Sequence, residues 1–504
     1  MKRPSLYHIA VALLLAMAPA AHATDITVTE PGTLTSAIAA SGAELSTLTT
    51  LTVSGPVNAA DLYAIGNSAT ALTGLDLSKA TISAYEGSRI NGNCAYPANY
   101  LPTGVFAGSM LQNVVLPVGD LALGDMAFAS SQLKQLPAMT NVTTLGDGVF
   151  SGCLSLTEIA YPVASASVGA HIFAGCTALT TVDMQNASTV APYAFNGCTA
   201  LTTVNGTDAL TFIGTDAFNG CSALETFHFG PELRSIGSGA FAATALTVAD
   251  LSECKALASI GDFAFAHNTV LDSVALNSEA RPALGAGVFF DDAALTAFTL
   301  PSGTRAIPDY AFKGTAKLRH SLPDGLDSIG HYAMTANDAT TELTLPHSLT
   351  YIGDGAMEGM TSLTKITAGT LGAAPELGND VWAGVDQAHV TLIVNQDAEP
   401  LFRSAAQWQD FNITTVSGDG GIVADGIAGV PAPKARFDGT DLHVLSEGRD
   451  IARVALYDIN GKLLAVAAPA SELAVIDTAP FSNPVFVVYV TLADGTNASL
   501  KLKR

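Results

Sequence analysis

Ile213-Gly214-Thr215-Asp216-Ala217-Phe218-Asn219-Gly220-Cys221-Ser222-Ala223-Leu224 runs directly into Glu225-Thr226-Phe227-His228-Phe229. The first twelve residues are one copy of a unit, Leu/Ile-Gly-x-x-Ala-Phe-x-Gly-Cys-x-x-Leu-x-x-aliphatic-x-Leu-Pro, that returns along the chain. Its aromatic position falls at Phe106, Phe128, Phe150, Phe173, Phe195, Phe218, Phe241, Phe265, Phe289, Phe312, Met334, Met357 and Trp382, which makes thirteen units spaced by 22 to 25 residues. Self-similarity at such a period marks a stack of like coils, each of which buries its apolar face only against its neighbours.

Within a unit, Leu224 to Phe229 places apolar Phe227 and Phe229 at alternate positions with polar residues between them, the period of a half-buried strand. The same register returns at Leu271 to Leu276 and Leu295 to Leu300. Pro117, Pro301, Pro323 and Pro346 follow such strands and end them by withholding a ladder donor. Gly after Ile, as in Ile213-Gly214, Ile236-Gly237, Ile260-Gly261 and Ile329-Gly330, suits a bend. The repeated Phe is expected in a short helical or 3-10 turn on the opposite side, stacked on its neighbour; burying one such ring contributes roughly 1.5 to 3 kcal/mol. Thirteen rungs about 4.8 Å apart predict a parallel sheet on the order of 60 Å long in a curved rod.

The unit resembles the BspA-like leucine-rich repeats of bacterial surface proteins over about residues 101 to 385. The expected fold is therefore an α/β repeat: a curved leucine-rich-repeat solenoid over residues 101–389, with a parallel β-sheet and short helical or 3-10 turns. The resemblance implies an extracellular adhesion or partner-binding role. Residues 24–100, with Leu51 to Asn58 and Leu72 to Ser78, are similar to that family's leading cap. Residues 390–416, with Trp408 and Phe411, resemble its closing segment. Both ends need such covers, because an end rung is an open apolar face with an unpaired edge.

Residues 1–23 read as a signal peptide: Lys2 and Arg3, an apolar run from Ile9 to Met17, then Ala21-His22-Ala23 before cleavage near Ala23. No later apolar run is long enough to span a membrane. Residues 417–433 read as a linker. Residues 434–504 hold short β-rich runs divided by Asn460-Gly461 and Asp494-Gly495, which predicts a small all-β sandwich at the C-terminus. Arg453 to Lys462, Val485 to Val490 and the basic end Lys501 to Arg504 resemble the sorting domain of type IX secretion cargo. Asn483-Pro484-Val485-Phe486 stands where that pattern has a Gly. The resemblance implies outer-membrane export, with an ordinary immunoglobulin-like module as the alternative.

Lys and Arg number 22 against 45 Asp and Glu, a net charge of −23, with 13% charged and 48% hydrophobic residues. An acidic surface disfavours nucleic acid and anionic membrane. Cys153, Cys176, Cys198 and Cys221 each lie three residues after the ring, a column of buried thiols or, less readily, of disulfides between adjacent rungs; a column cannot converge on one zinc ion. Cys254 and Cys94 have no evident partner. The chain shows no Gly-x-Ser-x-Gly elbow, no His-Glu-x-x-His and no phosphate-cradling loop, so the reading is a non-enzyme without cofactor or metal.

The binding candidates are the outward strand positions Thr180, Asp183, Thr203, Asn205, Thr226, His228, Asp250, Asp272 and Thr299, a flat, hydroxylated, mildly acidic face. For any one of them, Thr simply favouring a solvated strand competes with a contact role. The expected partner is an extracellular protein of host or bacterium, for a secreted or outer-membrane surface protein. The alternative is a glycan, met by Tyr193, Phe263, Tyr310 and Tyr332, whose other use is packing between rungs. Lys313, Lys317, Arg319 and His320 form a candidate basic patch, or plain solvated charge.

Overall fold

The computed structural model describes residues 23–162, 167–301, 303–416, 433–438, 440–446, 448–458, 462–481, 485–493 and 497–503. The signal-peptide, linker, Asn460-Gly461 and Asp494-Gly495 readings fall wholly or almost wholly outside these residues. The chain divides into two units, one ending at Ala297 and the other beginning at Phe298.

In the first unit, parallel strands Ala23–Thr27, Thr50–Val57 and Gly74–Ile82 pair in order and hand on to Asn113–Val115. Helices Leu34–Ala40 and Ala59–Ser68 lie between them. Asn58 caps the second helix, its Oδ1 accepting from the N–H of Ala60 and Asp61 while Asp61 accepts from the N–H of Asn58, a reciprocal pairing that satisfies orphan donors.

Rungs beyond this lead-in carry two rows of short parallel strands. One row joins Glu158–Ala160, Thr181–Asp183 and Thr203–Asn205, and then Val248–Leu251 with Ser273–Leu276. The other joins two-residue strands ending at an aliphatic residue that, from Ile213 on, directly precedes the repeat Gly: Thr189–Val190, Phe212–Ile213, Ser235–Ile236, Ser259–Ile260 and Ala283–Leu284. The parallel pairing that the period predicts is present, divided among several short sheets. Residues 224–229 keep the predicted alternation, Phe227 and Phe229 buried and Thr226 and His228 exposed, yet form no strand. Two adjacent inward rings crowd this coil, Phe227 and Phe229 lying 4.9 Å apart and both packing edge-on to Phe241. From Leu295 onward the first unit keeps only an isolated bridge, Ala297 to Ser273.

The rings stack as the period requires. From Phe106 to Phe289, successive centroids lie 5.2 to 5.9 Å apart and nearly parallel, with every ring buried. The turn holding each ring is not a helix. It is a bend in which the residues two before and two after the ring take positive φ, as at Asp216 (50°) and Gly220 (73°). This geometry aims three alternate N–H groups at the next rung: Asp216 N–H donates to Ser238 O, Phe218 N–H to Ala240 O and Gly220 N–H to Ala242 O, at 2.8 to 2.9 Å. The recurrent Gly two after the ring follows from that left-handed backbone.

The Gly after Ile has a different cause from the bend first read into it. Gly237 is not at positive φ; a Cβ there would lie 2.6 Å from Thr215 N, and at Gly261 2.5 Å from Ser238 N. Adjacent coils touch backbone to backbone at this corner, and only hydrogen fits between them.

The Cys position also works between rungs. Cys176 Sγ donates to Phe150 O at 3.2 Å, Cys198 to Phe173 O at 3.3 Å and Cys221 to Phe195 O at 3.2 Å, each reaching the preceding rung. The described thiols are free, with Cys94 exposed and the other five buried. Cys254, without an evident partner in the sequence, donates to Gly230 O at 3.3 Å. Burial pushes Cys176, Cys198 and Cys221 well above the usual thiol range, and Cys221 up to about 12. At the same position further along stand Thr244, Asn268 and Asp292.

In the second unit, Ala306–Ile307, Ser328–Ile329, Tyr351–Ile352 and Glu376–Leu377 form one parallel row. Glu342–Thr344, Lys365–Ala368, Thr391–Asn395 and Asn412–Val416 form the other. Phe312, Met334, Met357 and Trp382 hold the ring position, all buried. Trp382 packs edge-on against Trp408 at 5.4 Å and Phe411 at 5.1 Å. Beyond residue 433, antiparallel sheets Lys434–Asp438/Asp441–Leu445/Leu473–Asp477 and Leu463–Ala467/Ile451–Asp458/Val485–Leu492/Asn497–Lys503 share a core of Leu442, Val454, Phe486 and Val488. The strands flanking Asn460-Gly461 and Asp494-Gly495 pair antiparallel.

Candidate binding surface

The outward side of the first strand row is set by parallel register. Glu158 lies beside Thr181 and Thr181 beside Thr203; one step on, Ala160 lies beside Asp183 and Asp183 beside Asn205. Ile159, Val182 and Val204 between them are buried. The period-two alternation thus holds Thr203, Asp183 and Asn205 on the solvent side of a flat patch. Asp250 occupies the same outward place on Val248–Leu251, beside Ala275.

All nine predicted positions are exposed, but they are not equivalent. Thr180 donates its hydroxyl to Thr157 O at 2.9 Å, a rung-to-rung link that occupies its proton. Asp183 Oδ1 accepts the N–H of Gln185, closing the turn after its strand. Asp272 Oδ1 accepts the hydroxyl of Thr296 at 2.8 Å. The hydroxyls of Thr203 and Thr202 lie 3.4 Å apart. Among the described residues, the side chains of Asn205, Thr226 and Thr299 make no hydrogen bond. Thr299 belongs to the second unit; the other eight lie in the first.

His228 is the member that sequence spacing did not connect to anything. Its Nε2 is 2.9 Å from Asp208 Oδ1, with side chains 59% and 73% exposed, so solvent screens the pair and it stabilises little. Hydrogen bonds from the side chain and then the backbone of Ser252 hold the Asp250 carboxyl below the usual range, with His228 adding to the same effect. Asp208 was absent from the predicted set because it sits in the loop after Thr203–Asn205, where no period marks it. The face carries Glu158, Asp183, Asp208, Glu225, Asp250 and Asp272 against one imidazole, that of His228, and its field favours a cationic or neutral, hydrogen-bonding partner. Among the described residues no group of three His, Cys, Asp or Glu is placed to hold a metal ion.

One expectation outside the strand face changes. His320 is not part of a basic patch: its Nε2 is sealed from solvent without a partner, and its ring meets Phe312 edge-on at 5.0 Å. Burial pushes it down to about 3, so it is neutral. Lys313 lies over the rings of Tyr310 and Tyr332, at 5.7 and 5.2 Å. Those rings stack on one another at 5.6 Å, as His171 stacks on Tyr193 at 4.3 Å. Tyr193, Tyr310 and Tyr332 therefore pack rung on rung.

A family model, the BspA type leucine rich repeat region, matches six copies over residues 99–214, 188–318 and 282–374, more than half of the chain. The chain belongs to the BspA-type leucine-rich repeat family. The match covers the rungs from Phe106 to Met357, and the residues after 374 lie beyond it. A leucine-rich repeat protein from Bacteroides ovatus is similar at 18% identity, covering 74% of this chain and 84% of that one, with a TM-score of 0.49. A leucine rich cell surface protein from Faecalibacterium prausnitzii is similar at 19% identity over 56% of this chain and 85% of that one, with a TM-score of 0.32. Comparison with curated proteins returns no match. No helix among the described residues is long and apolar enough to cross a membrane.

Proposed function

We propose that this BspA-type repeat protein is a non-catalytic surface protein that recognises an extracellular protein through the outward side of residues 158–276. The observation that carries the reading is the register of Thr181–Asp183 on Thr203–Asn205, which holds polar side chains in a flat row at rung spacing, with Asn205 and Thr226 free to bond a partner. Such a surface lacks the Trp, Tyr and Arg anchors that usually dominate tight interfaces, so binding here is moderate and gains from repetition along the row. The reading includes export through the amino-terminal signal and a sorting role for residues 434–504.

The test is capture of surface proteins from host and bacterial extracts by the immobilised chain, identified by mass spectrometry and repeated with purified candidates. Thr203→Arg combined with Thr226→Arg is expected to abolish binding while leaving Tm within about 2 °C, since exposed changes seldom cost much. Undiminished binding by that variant overturns the assignment of the face, and binding to glycans in place of protein overturns the partner class. Mass spectrometry of both termini of the mature protein tests the export reading: an intact carboxyl terminus on secreted, unattached protein speaks against a sorting domain.

A further inference from the structure

The bends that carry the ring column end in an unmatched row of donors. In each of eleven rungs whose bonds are described, three alternate N–H groups meet carbonyls of the rung that follows. The last such set joins Gly355 N–H to Asn379 O, Met357 N–H to Val381 O and Gly359 N–H to Ala383 O, at 2.8 to 3.0 Å. The equivalent donors one rung on are Asp380, Trp382 and Gly384, with the same left-handed flanks at φ 52° and 79°. Among the described residues none of the three has an acceptor.

The closing segment covers the ring side of this rung and only part of its backbone. Gln407 Oε1 accepts from Val381 N–H at 2.9 Å, and Gln407 Nε2 donates to Gly378 O. Trp408 donates Nε1 to Pro375 O. Trp382 Nε1, by contrast, is buried and unpartnered. Asp380, Trp382 and Gly384 line an open recess of about 540 Å³, together with Val385, Gln387 and Gln407. Its size suits a short segment of chain or a small ligand.

We propose that this recess is a peptide-docking site, in which a segment of a partner polypeptide lays alternate backbone carbonyls on the N–H groups of Asp380, Trp382 and Gly384 and so adds one more bend to the column. An anion is a poor occupant, because the exposed carboxylate of Asp380 stands beside the donors. Neutral carbonyls are what the same three donors meet on every earlier rung. A second copy stacking head to tail is disfavoured, because two of the three equivalent carbonyls at the leading end, those of Thr103 and Val105, are covered. There Tyr63 Oη donates to Thr103 O at 2.6 Å and Asn91 Nδ2 to the same atom at 3.1 Å. Gly66 fits against Val105 O, where a Cβ would clash. This site is separate from the strand face, so the failure of one assignment leaves the other standing.

The experiment is hydrogen–deuterium exchange on the full chain with a synthetic peptide of the sequence of residues 352–363, whose bend supplies the required carbonyls. At millimolar peptide, exchange within residues 380–385 is expected to slow about tenfold, since bonded amides exchange only on opening. A peptide with reduced amides, CH2–NH in place of the three carbonyls, is expected to give no protection. Ala383→Trp, which fills the recess, is expected to abolish the effect. Should that variant misfold, the comparison of the two peptides on the native chain still decides. No protection at saturation, equal protection by the reduced peptide, or protection by a neutral oligosaccharide in place of the peptide overturns the proposal.

Discussion

Asn268 donates its backbone N–H to Oδ1 of Asp292, one rung on, at 2.7 Å. Asn268 also donates its Nδ2 to Phe241 O and Phe265 O, whereas the second oxygen of Asp292 is buried with no partner. A carboxyl therefore stands where a neighbouring rung uses an amide, and it matches that amide only while protonated.

Burial pushes Asp292 up to about 9, against the hydrogen bond from Asn268; neighbouring Asp291, itself 3.6 Å from His267, raises it further. The unfolded chain releases this proton near pH 3.9, so folding takes one up between about pH 4 and 9. The contribution of Asp292 is best below that window and falls as pH rises through it. Asp292→Asn is expected to flatten the decline and to be more stable at pH 8 by about 1 to 3 kcal/mol, the cost of an unsatisfied buried group. Denaturant titrations at pH 5 and pH 8 check this; a variant less stable than its parent at pH 8 refutes the amide analogy.

His320 gives the opposite slope. Its ring, with Nε2 shut off from solvent, is held down at about 3 by desolvation, and the unfolded imidazole binds a proton below about pH 6.5. Stability from this residue rises with pH between about 3 and 6.5. His320→Leu is expected to lift the acid limb of a Tm–pH profile and leave the limb above pH 7 nearly unchanged. An unchanged acid limb would show the ring to be solvated.

The two kinds of repeat glycine should rank differently. Gly237→Ala forces a Cβ to 2.6 Å from Thr215 N, and overpacking between backbones costs typically about 1 to 3 kcal/mol. Gly220→Ala leaves the nearest outside atom 3.7 Å away and meets only the left-handed φ of 73°, worth roughly 1 to 2 kcal/mol. Urea midpoints for the two variants test the order, and Gly220→Ala proving the worse would refute the close-contact account.

Thiol chemistry checks the cysteine column. One thiol, Cys94, is expected to react quickly with an aromatic disulfide reagent in the native protein, and the five buried thiols only on unfolding. Mass spectrometry of alkylated, unreduced protein is expected to find all six free. A recovered disulfide between adjacent rungs overturns this part of the structure.

Much of the first-unit architecture was legible because a solenoid repeats its physics. A ring every 22 to 25 residues can be buried only against its own kind, so Phe106 to Phe289 stack; period two put Val182 inside and Asp183 outside. The candidate face was legible as positions but not as chemistry. That Thr180 spends its proton on Thr157 O, or that Asp208 approaches His228 from a loop, depends on separations between coils that no local pattern carries. His320, counted with Lys317 and Arg319 by adjacency, turned inward to the ring of Phe312, since neighbours along a bend need not share a face.

The order of coils, the buried column and the outward row follow from the sequence by itself, because each depends on a spacing that every rung must satisfy in the same way. Tertiary structure alone decided where that regularity stops: the crowding of Phe227 and Phe229 that interrupts a strand row, the backbone contact that demands Gly237, and the three donors left over at Asp380, Trp382 and Gly384. Those are matters of what lies on the far side of a coil, and distance through space is not written in the period.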